Sequence, residues 1–146
     1  MKKDYFVEKI YIRTNHKKMK LLIFRPKHQK GNVPGVLWLH GGGYMTGMPE
    51  MAYFSRAIDV VKCGAVLIAP AYTLSWKKPY PAAIKDCYVA LLYLKRHRKE
   101  LKISSDQIFV GGESAGGGLT AALCMYARDK GEVNIAFQMP LYPMLD

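Results

Sequence analysis

Apolar positions along this chain fall into two kinds of pattern. Trp38 and its neighbours in Gly35-Val36-Leu37-Trp38-Leu39, then Ala65 to Ala69, Ile108 to Val110 and Ile135 to Met139 form continuous runs. Such runs suit parallel strands buried on both faces. Between them apolar residues recur at helical spacing. Ile84, Tyr88, Leu91 and Leu92 form one stripe and Ala83, Cys87, Ala90 and Leu94 an adjoining one, which predicts a helix from about Pro81 to Lys99 with Pro81 in its first turn. Another helix is predicted around Tyr53 to Lys62, and a third through Leu119, Ala122, Leu123 and Tyr126. Two amphipathic β-segments, Phe6 to Ile12 and Met19 to Phe24, precede all of these and predict an edge hairpin. The order strand, strand, strand, helix, strand, helix, strand, helix, strand implies an α/β fold with a mostly parallel sheet and helices on both faces. No repeat or linker divides it, so one domain over residues 1–146 is the economical count.

Two glycine-framed segments stand where predicted strands end. Gly112-Glu113-Ser114-Ala115-Gly116 joins the run Gln107 to Val110 to the third helix, which places Ser114 at a sharp strand-to-helix corner. Such a corner strains the serine backbone, and side chains two residues to either side would collide across it; glycine at 112 and 116 removes that conflict and leaves the hydroxyl pointing outward. The amide of Ala115 then lies at a helix N-terminus, where free N–H donors and the helix dipole favour a developing negative charge. His40-Gly41-Gly42-Gly43 follows Leu39 in the same way. Three glycines let the backbone pass close to a bound carbonyl and aim its amides at it, each worth about 3 kcal/mol in a transition state. His40 suits orienting that loop by hydrogen bonding better than transferring protons.

Nucleotide sites are disfavoured at the same glycines. Gly112 to Gly117 has phosphate-loop spacing, but Gly118-Leu119 stands in place of the Lys-Ser/Thr pair that holds phosphate and magnesium. Gly116 to Ala121 fits a loose dinucleotide pattern without a suitably placed acidic residue.

At these residues the chain resembles the hormone-sensitive-lipase-like branch of the α/β-hydrolase esterase/lipase superfamily. The likeness runs from about Val36 to Asp146. Pro70-Ala71-Tyr72-Thr73-Leu74 is similar to the family's tyrosine-containing strand exit, Pro79-Tyr80-Pro81-Ala82-Ala83 with Asp86-Cys87 to its proline-led helix start, and Ala127-Arg128-Asp129 and Tyr142-Pro143-Met144-Leu145-Asp146 to its later segments. The resemblance implies a carboxylic-ester hydrolase with Ser114 as nucleophile, Gly41, Gly42, Gly43 and Ala115 as oxyanion donors, a small acyl-ester substrate and no cofactor or metal. Thr73 stands where the family usually has arginine, Ser75-Trp76-Lys77-Lys78 replaces an Ala-Pro-Glu-type stretch, and Gly118 replaces a frequent asparagine. The stretch before His40 is short for the branch, which implies a reduced or absent N-terminal helical cap.

The family takes its acid and base from loops after later strands, in the order Ser, Asp, His. This chain therefore reads as a truncated α/β-hydrolase fold, an N-terminal half that ends after the strand following the nucleophile helix, with the triad aspartate and histidine missing. His16, His28, His40 and His97 all precede Ser114. His16, His28 and His97 sit among basic residues and read as solvated. A triad serine without its base keeps on the order of 10³ to 10⁴ over water and loses about 10⁶, so the expectation is weak or no activity alone. The alternative is a non-catalytic acyl- or partner-binding module on the same scaffold. The strand from Ile135 to Tyr142 would present an apolar edge, to be covered by a second copy, by another polypeptide supplying the missing half, or by tight local rearrangement.

Composition changes this picture little. Net charge is +11, and ten of the 22 basic residues lie in the first 30 positions. Lysines on an edge hairpin explain that group, and Lys95, Arg96, Arg98, Lys99 and Lys102 suit a helix C-terminus; no nucleic-acid motif accompanies them. Acidic residues interrupt Met1 to Glu8 before any apolar core develops, and no stretch is long enough to span a bilayer. Cys63, Cys87 and Cys124 have no metal spacing and read as buried thiols of a cytoplasmic protein.

Overall fold

The N-terminal hairpin sets the first edge of the sheet. β1 (Tyr5–Arg13) and β2 (Lys18–Pro26) pair antiparallel from Tyr5 opposite Pro26 to Arg13 opposite Lys18. β3 (Val33–Leu39), β4 (Val66–Pro70), β5 (Ile103–Glu113) and β6 (Phe137–Leu141) run parallel, and β2 joins them antiparallel to β4. The sheet order is β1-β2-β4-β3-β5-β6. This computed structural model describes residues 3–145, so Met1, Lys2 and Asp146, and with them the ends of the predicted start and closing motifs, lie outside the described residues.

Strand periodicity of two divides the core between the two faces of the sheet. Leu21, Ile23, Leu37, Leu39, Val66 and Ile68 pack with α2 (Ala82–Arg96) and α3 (Ala115–Lys130). Leu22, Phe24, Val36, Trp38, Leu67 and Ala69 pack on the other side with α1 (Ala57–Lys62) and a 3-10 turn at Pro49–Phe54. Each such large side chain stabilises the fold by about 1.5–3 kcal/mol. The helices cover both faces, as the order of elements predicts.

Several expectations need correction. The hairpin lies at the sheet edge as expected, but its second strand is not amphipathic: β2 lies between β1 and β4, with Leu21 to Phe24 buried on both faces, so the edge strand is β1 alone. The helix expected over Tyr53 to Lys62 is broken, because Ser55 is extended and its hydroxyl takes the Ala57 N–H at 3.2 Å, competing with the helical ladder. α2 stops at Arg96, short of Lys99. There the His97 ring stacks on Tyr93 and its Nδ1 bonds the Tyr93 carbonyl at 3.0 Å, occupying a group at the helix end. Pro81 precedes the helix as its N-cap residue. Cys87 is buried, Cys124 half-buried, and Cys63 exposed, since α1 ends beneath it.

Candidate active site

β5 and α3 meet at Ser114, whose φ of 55° and ψ of −117° give the strained corner that the glycine framing predicts. A non-glycine residue pays about 1–3 kcal/mol for such a conformation, so surrounding structure must hold it. Its N–H donates to the Leu141 carbonyl at 3.1 Å, and its carbonyl accepts from Gly118 at 3.0 Å and Met144 at 2.9 Å. A Cβ on Gly112 would lie 2.4 Å from the Gly116 carbonyl oxygen, which is the conflict across the turn. At Gly116 the obstacle is different. Its Cβ would lie 2.0 Å from the carbonyl oxygen of Leu39 and 2.5 Å from that of His40, so glycine there lets α3 seat against the end of β3. Gly118, the departure from the family's asparagine, has no room for a side chain: a Cβ would stand 1.9 Å from the Met144 carbonyl oxygen.

The triple-glycine loop runs alongside. A Cβ built on Gly41 would lie 3.5 Å from the Ser114 Cβ and 3.0 Å from the Glu113 carbonyl oxygen. Gly42 has a φ of 124° and faces the Thr46 carbonyl; its own carbonyl accepts from Met45 at 3.1 Å and Thr46 at 3.0 Å, closing a tight turn. Gly43 is exposed, and Ala115 is fully buried as the first residue of α3. His40 is buried, and burial lowers its pKa, so the ring is neutral at pH 7. Its Nδ1 lies 2.7 Å from the Gly41 carbonyl oxygen and so carries the proton, leaving Nε2 as an acceptor without a partner among the described residues. Tyr72 stacks on that ring, centroids 4.2 Å apart, and donates its hydroxyl to the His40 carbonyl at 2.6 Å.

Among the described residues no hydrogen bond joins the Ser114 hydroxyl to a histidine or a carboxylate. His28 is exposed as expected, but His16 and His97 are not simply solvated: the first lies 3.0 Å from the Thr73 hydroxyl and the second caps α2. Asp86, Thr73 and Lys17 form a further polar group behind Tyr72 that spacing alone did not single out. Asp86 sits between Ala82 and Ala90 on the buried face of α2, and a carboxylate one helical turn from two such residues was the available signal. A cavity of about 360 Å³ opens beside Gly43 and Tyr44, with Ile84, Leu119 and Ala122 on its wall together with Thr73, Ser75 and Lys78. Among the described residues no group of three His, Cys, Asp or Glu could hold a metal, and no helix is long and apolar enough to cross a membrane.

Known proteins share this fold. Residues 36–146 match the α/β hydrolase fold family. The esterase LipI of Mycobacterium tuberculosis is 33% identical over 114 residues, covering 78% of this chain and 36% of the relative. An arylesterase of Saccharolobus solfataricus is 32% identical over 110 residues, covering 75% and 36%. Among solved structures, a bacterial heroin esterase superposes with a TM-score of 0.86 at 35% identity, over 92% of this chain and 43% of that one. The brefeldin A esterase, described as a bacterial homologue of human hormone-sensitive lipase, gives 0.87 at 25% identity, over 98% and 41%. The chain thus spans well under half the length of these relatives. A strained serine corner on a mostly parallel sheet and matched residues from 36 onward lead to one conclusion: the chain belongs to the α/β-hydrolase fold family, on its hormone-sensitive-lipase-like esterase branch.

Proposed function

We propose that this chain carries the nucleophile and oxyanion half of a carboxylic-ester hydrolase. One observation carries the reading: Gly41 runs beside a Ser114 held at a φ of 55°, so the glycine loop and the serine corner lie directly against each other. In the proposed reaction the Ser114 hydroxyl oxygen attacks the ester carbonyl carbon and the carbonyl electron pair moves onto oxygen. Amides among Gly41, Gly42, Gly43 and Ala115 take that charge, and His40 keeps the loop in register through the Gly41 carbonyl. The intermediate collapses by expelling the alcohol, and water then releases the acid from the acyl-enzyme. The cavity beside Tyr44 and Leu119 suits the acyl group, being mainly apolar and of the size of a small-ligand site.

The serine proton needs an acceptor, and none of the described histidines is bonded to Ser114. We therefore take residues 1–146 as one incomplete α/β-hydrolase domain whose acid and base lie outside them. That is in keeping with its coverage of only 36% of LipI. β6, with Phe137 exposed and a cavity of about 510 Å³ between it and the end of α3, is the edge where a complementing C-terminal half, or a second copy, would add. The expected result is slow, stoichiometric modification of the isolated chain by a fluorophosphonate, lost in Ser114→Ala, with little turnover of a short-chain p-nitrophenyl ester. Failure of Ser114 to react would instead favour a non-catalytic acyl- or partner-binding module. A strict monomer at high concentration by light scattering would remove the second-copy version.

A further inference from the structure

Asp86 is 1% exposed, and an unpaired carboxylate there would carry a large desolvation cost. Its Oδ2 accepts from the Thr73 N–H at 2.9 Å and from the Thr73 hydroxyl at 2.5 Å. The threonine has one hydroxyl proton and spends it on Asp86. His16 Nε2, 3.0 Å from the same oxygen, is therefore the donor, and the chain of bonds runs one way, from imidazole to hydroxyl to carboxylate. Lys17 places its ammonium 3.7 Å from Oδ2 and donates to the Ala71 carbonyl at 2.8 Å. His16 and Lys17 both lie between β1 and β2, remote in sequence from the carboxylate they face.

The consequence falls on residue 72. Ala71 is held on both sides, its carbonyl by Lys17 and its N–H by the Lys20 carbonyl at 2.9 Å, while Thr73 is held by Asp86. Tyr72, fixed between two pinned neighbours, reaches the His40 carbonyl and stacks on the His40 ring. Three residues on, the Ser75 N–H donates to the Tyr44 carbonyl at 2.8 Å, so the same segment grips the glycine loop at its other end. An apolar side chain at 86 would avoid the cost of burying charge. A carboxylate there, with Oδ1 accepting no hydrogen bond among the described residues, is explained by what Oδ2 positions.

We propose that Asp86 is a positioning residue for the oxyanion loop, and that Lys17 and His16 couple the N-terminal hairpin to that loop through it. The proposal rests on the role given above to residues 41–43. Its test compares the wild type with Asp86→Ala, Asp86→Asn, Thr73→Val and Lys17→Met. Fluorophosphonate labelling of Ser114 is timed well below each melting temperature, and the Tyr72 hydroxyl proton, buried in its bond to His40, is followed by NMR. Asp86→Ala should lose the protected hydroxyl resonance and label about tenfold more slowly, the size of effect one charged hydrogen bond carries. Asp86→Asn keeps an acceptor for Thr73 and should recover most of both. A folded Asp86→Ala that labels at the wild-type rate and keeps the Tyr72 resonance overturns the proposal, even if its melting temperature falls. Should that variant not fold, Thr73→Val and Lys17→Met decide, with intermediate losses expected and wild-type behaviour in both overturning it. Should wild-type Ser114 not label at all, the nucleophile reading fails on its own, and the Tyr72 resonance alone judges Asp86: lost in support, retained against.

Discussion

The corner at Ser114 and the glycine loop at 41–43 are neighbours, but backbone holds one while side chains share in holding the other. Around Ser114 the ties are N–H to carbonyl bonds with Leu141, Gly118 and Met144, and glycines 112 and 116 are filled on their empty side by carbonyl oxygens. The loop makes one backbone turn of its own, from Gly42 to Met45 and Thr46, takes one more backbone bond from the Ser75 N–H to the Tyr44 carbonyl, and otherwise depends on the His40 ring, the Tyr72 hydroxyl and, behind them, Thr73 and Asp86. Backbone packing is all-or-none, because a carbonyl oxygen cannot move aside. Side-chain ties fail one at a time. The corner should therefore break abruptly and the loop loosen by degrees.

Gly116→Ala should have the largest effect. Its new methyl would meet the backbone oxygens of Leu39 and His40 where β3 ends and no flexible side chain, so the expected loss is about 3 kcal/mol or more, with Ser114 labelling abolished. Urea unfolding measures it; a change below about 0.5 kcal/mol, ordinary for a surface site, would show that the corner yields after all. Tyr72→Phe comes next. It leaves the buried His40 carbonyl without its donor, a loss of about 1–3 kcal/mol felt in the loop. Hydrogen exchange should quicken at Met45 and Thr46, whose amides close the loop, and stay unchanged at Gly118, which belongs to the corner. Equal acceleration at all three amides would erase the distinction.

The same division explains what the sequence made legible. Gly112, Ser114 and Gly116 lie within five residues, and their geometry follows from local sterics, so the corner could be read directly. The strands likewise declare themselves, because β3 and β4 are buried on both faces and are apolar without interruption. The Asp86 group joins residues 16, 17, 73 and 86, brought together by the pairing of β2 with β4 and the packing of α2, and no spacing along the chain encodes that meeting. Its only trace was a carboxylate on an apolar helix face. Breaks such as Ser55 were hidden for a related reason: a hydroxyl bonding the backbone two residues on leaves the apolar periodicity intact.

Ser114→Gly sharpens the comparison with an effect of opposite sign. Glycine accepts a φ of 55° without strain, and relief of about 1–3 kcal/mol is partly offset by the greater freedom of the unfolded chain. A net gain of about 1 kcal/mol in urea unfolding is expected, together with complete loss of labelling. No gain would mean that the corner is unstrained, and that its packing, not its backbone, carries the constraint.

The smallest effect concerns acid, and only the loop side should feel it. Glu50 begins the turn that follows the loop and pairs with Lys20 of β2. Burial alone would raise its pKa, but the hydrogen bond and charge of Lys20 outweigh that and hold it below 4.5. A carboxylate depressed in the folded state contributes stability that is fully present above its unfolded value and is lost as pH falls through the folded one. Corrected for intrinsic exchange, Met45 and Thr46 should therefore lose protection from about pH 4.5 downward, while Gly118, tied by backbone alone, should not. Glu50→Gln should remove the pH step at Met45 and Thr46 and leave Gly118 as it was. The pair is partly exposed and screened by solvent, so the step will be shallow; its confinement to one side of the site is what distinguishes a loop held by side chains from a corner held by main chain.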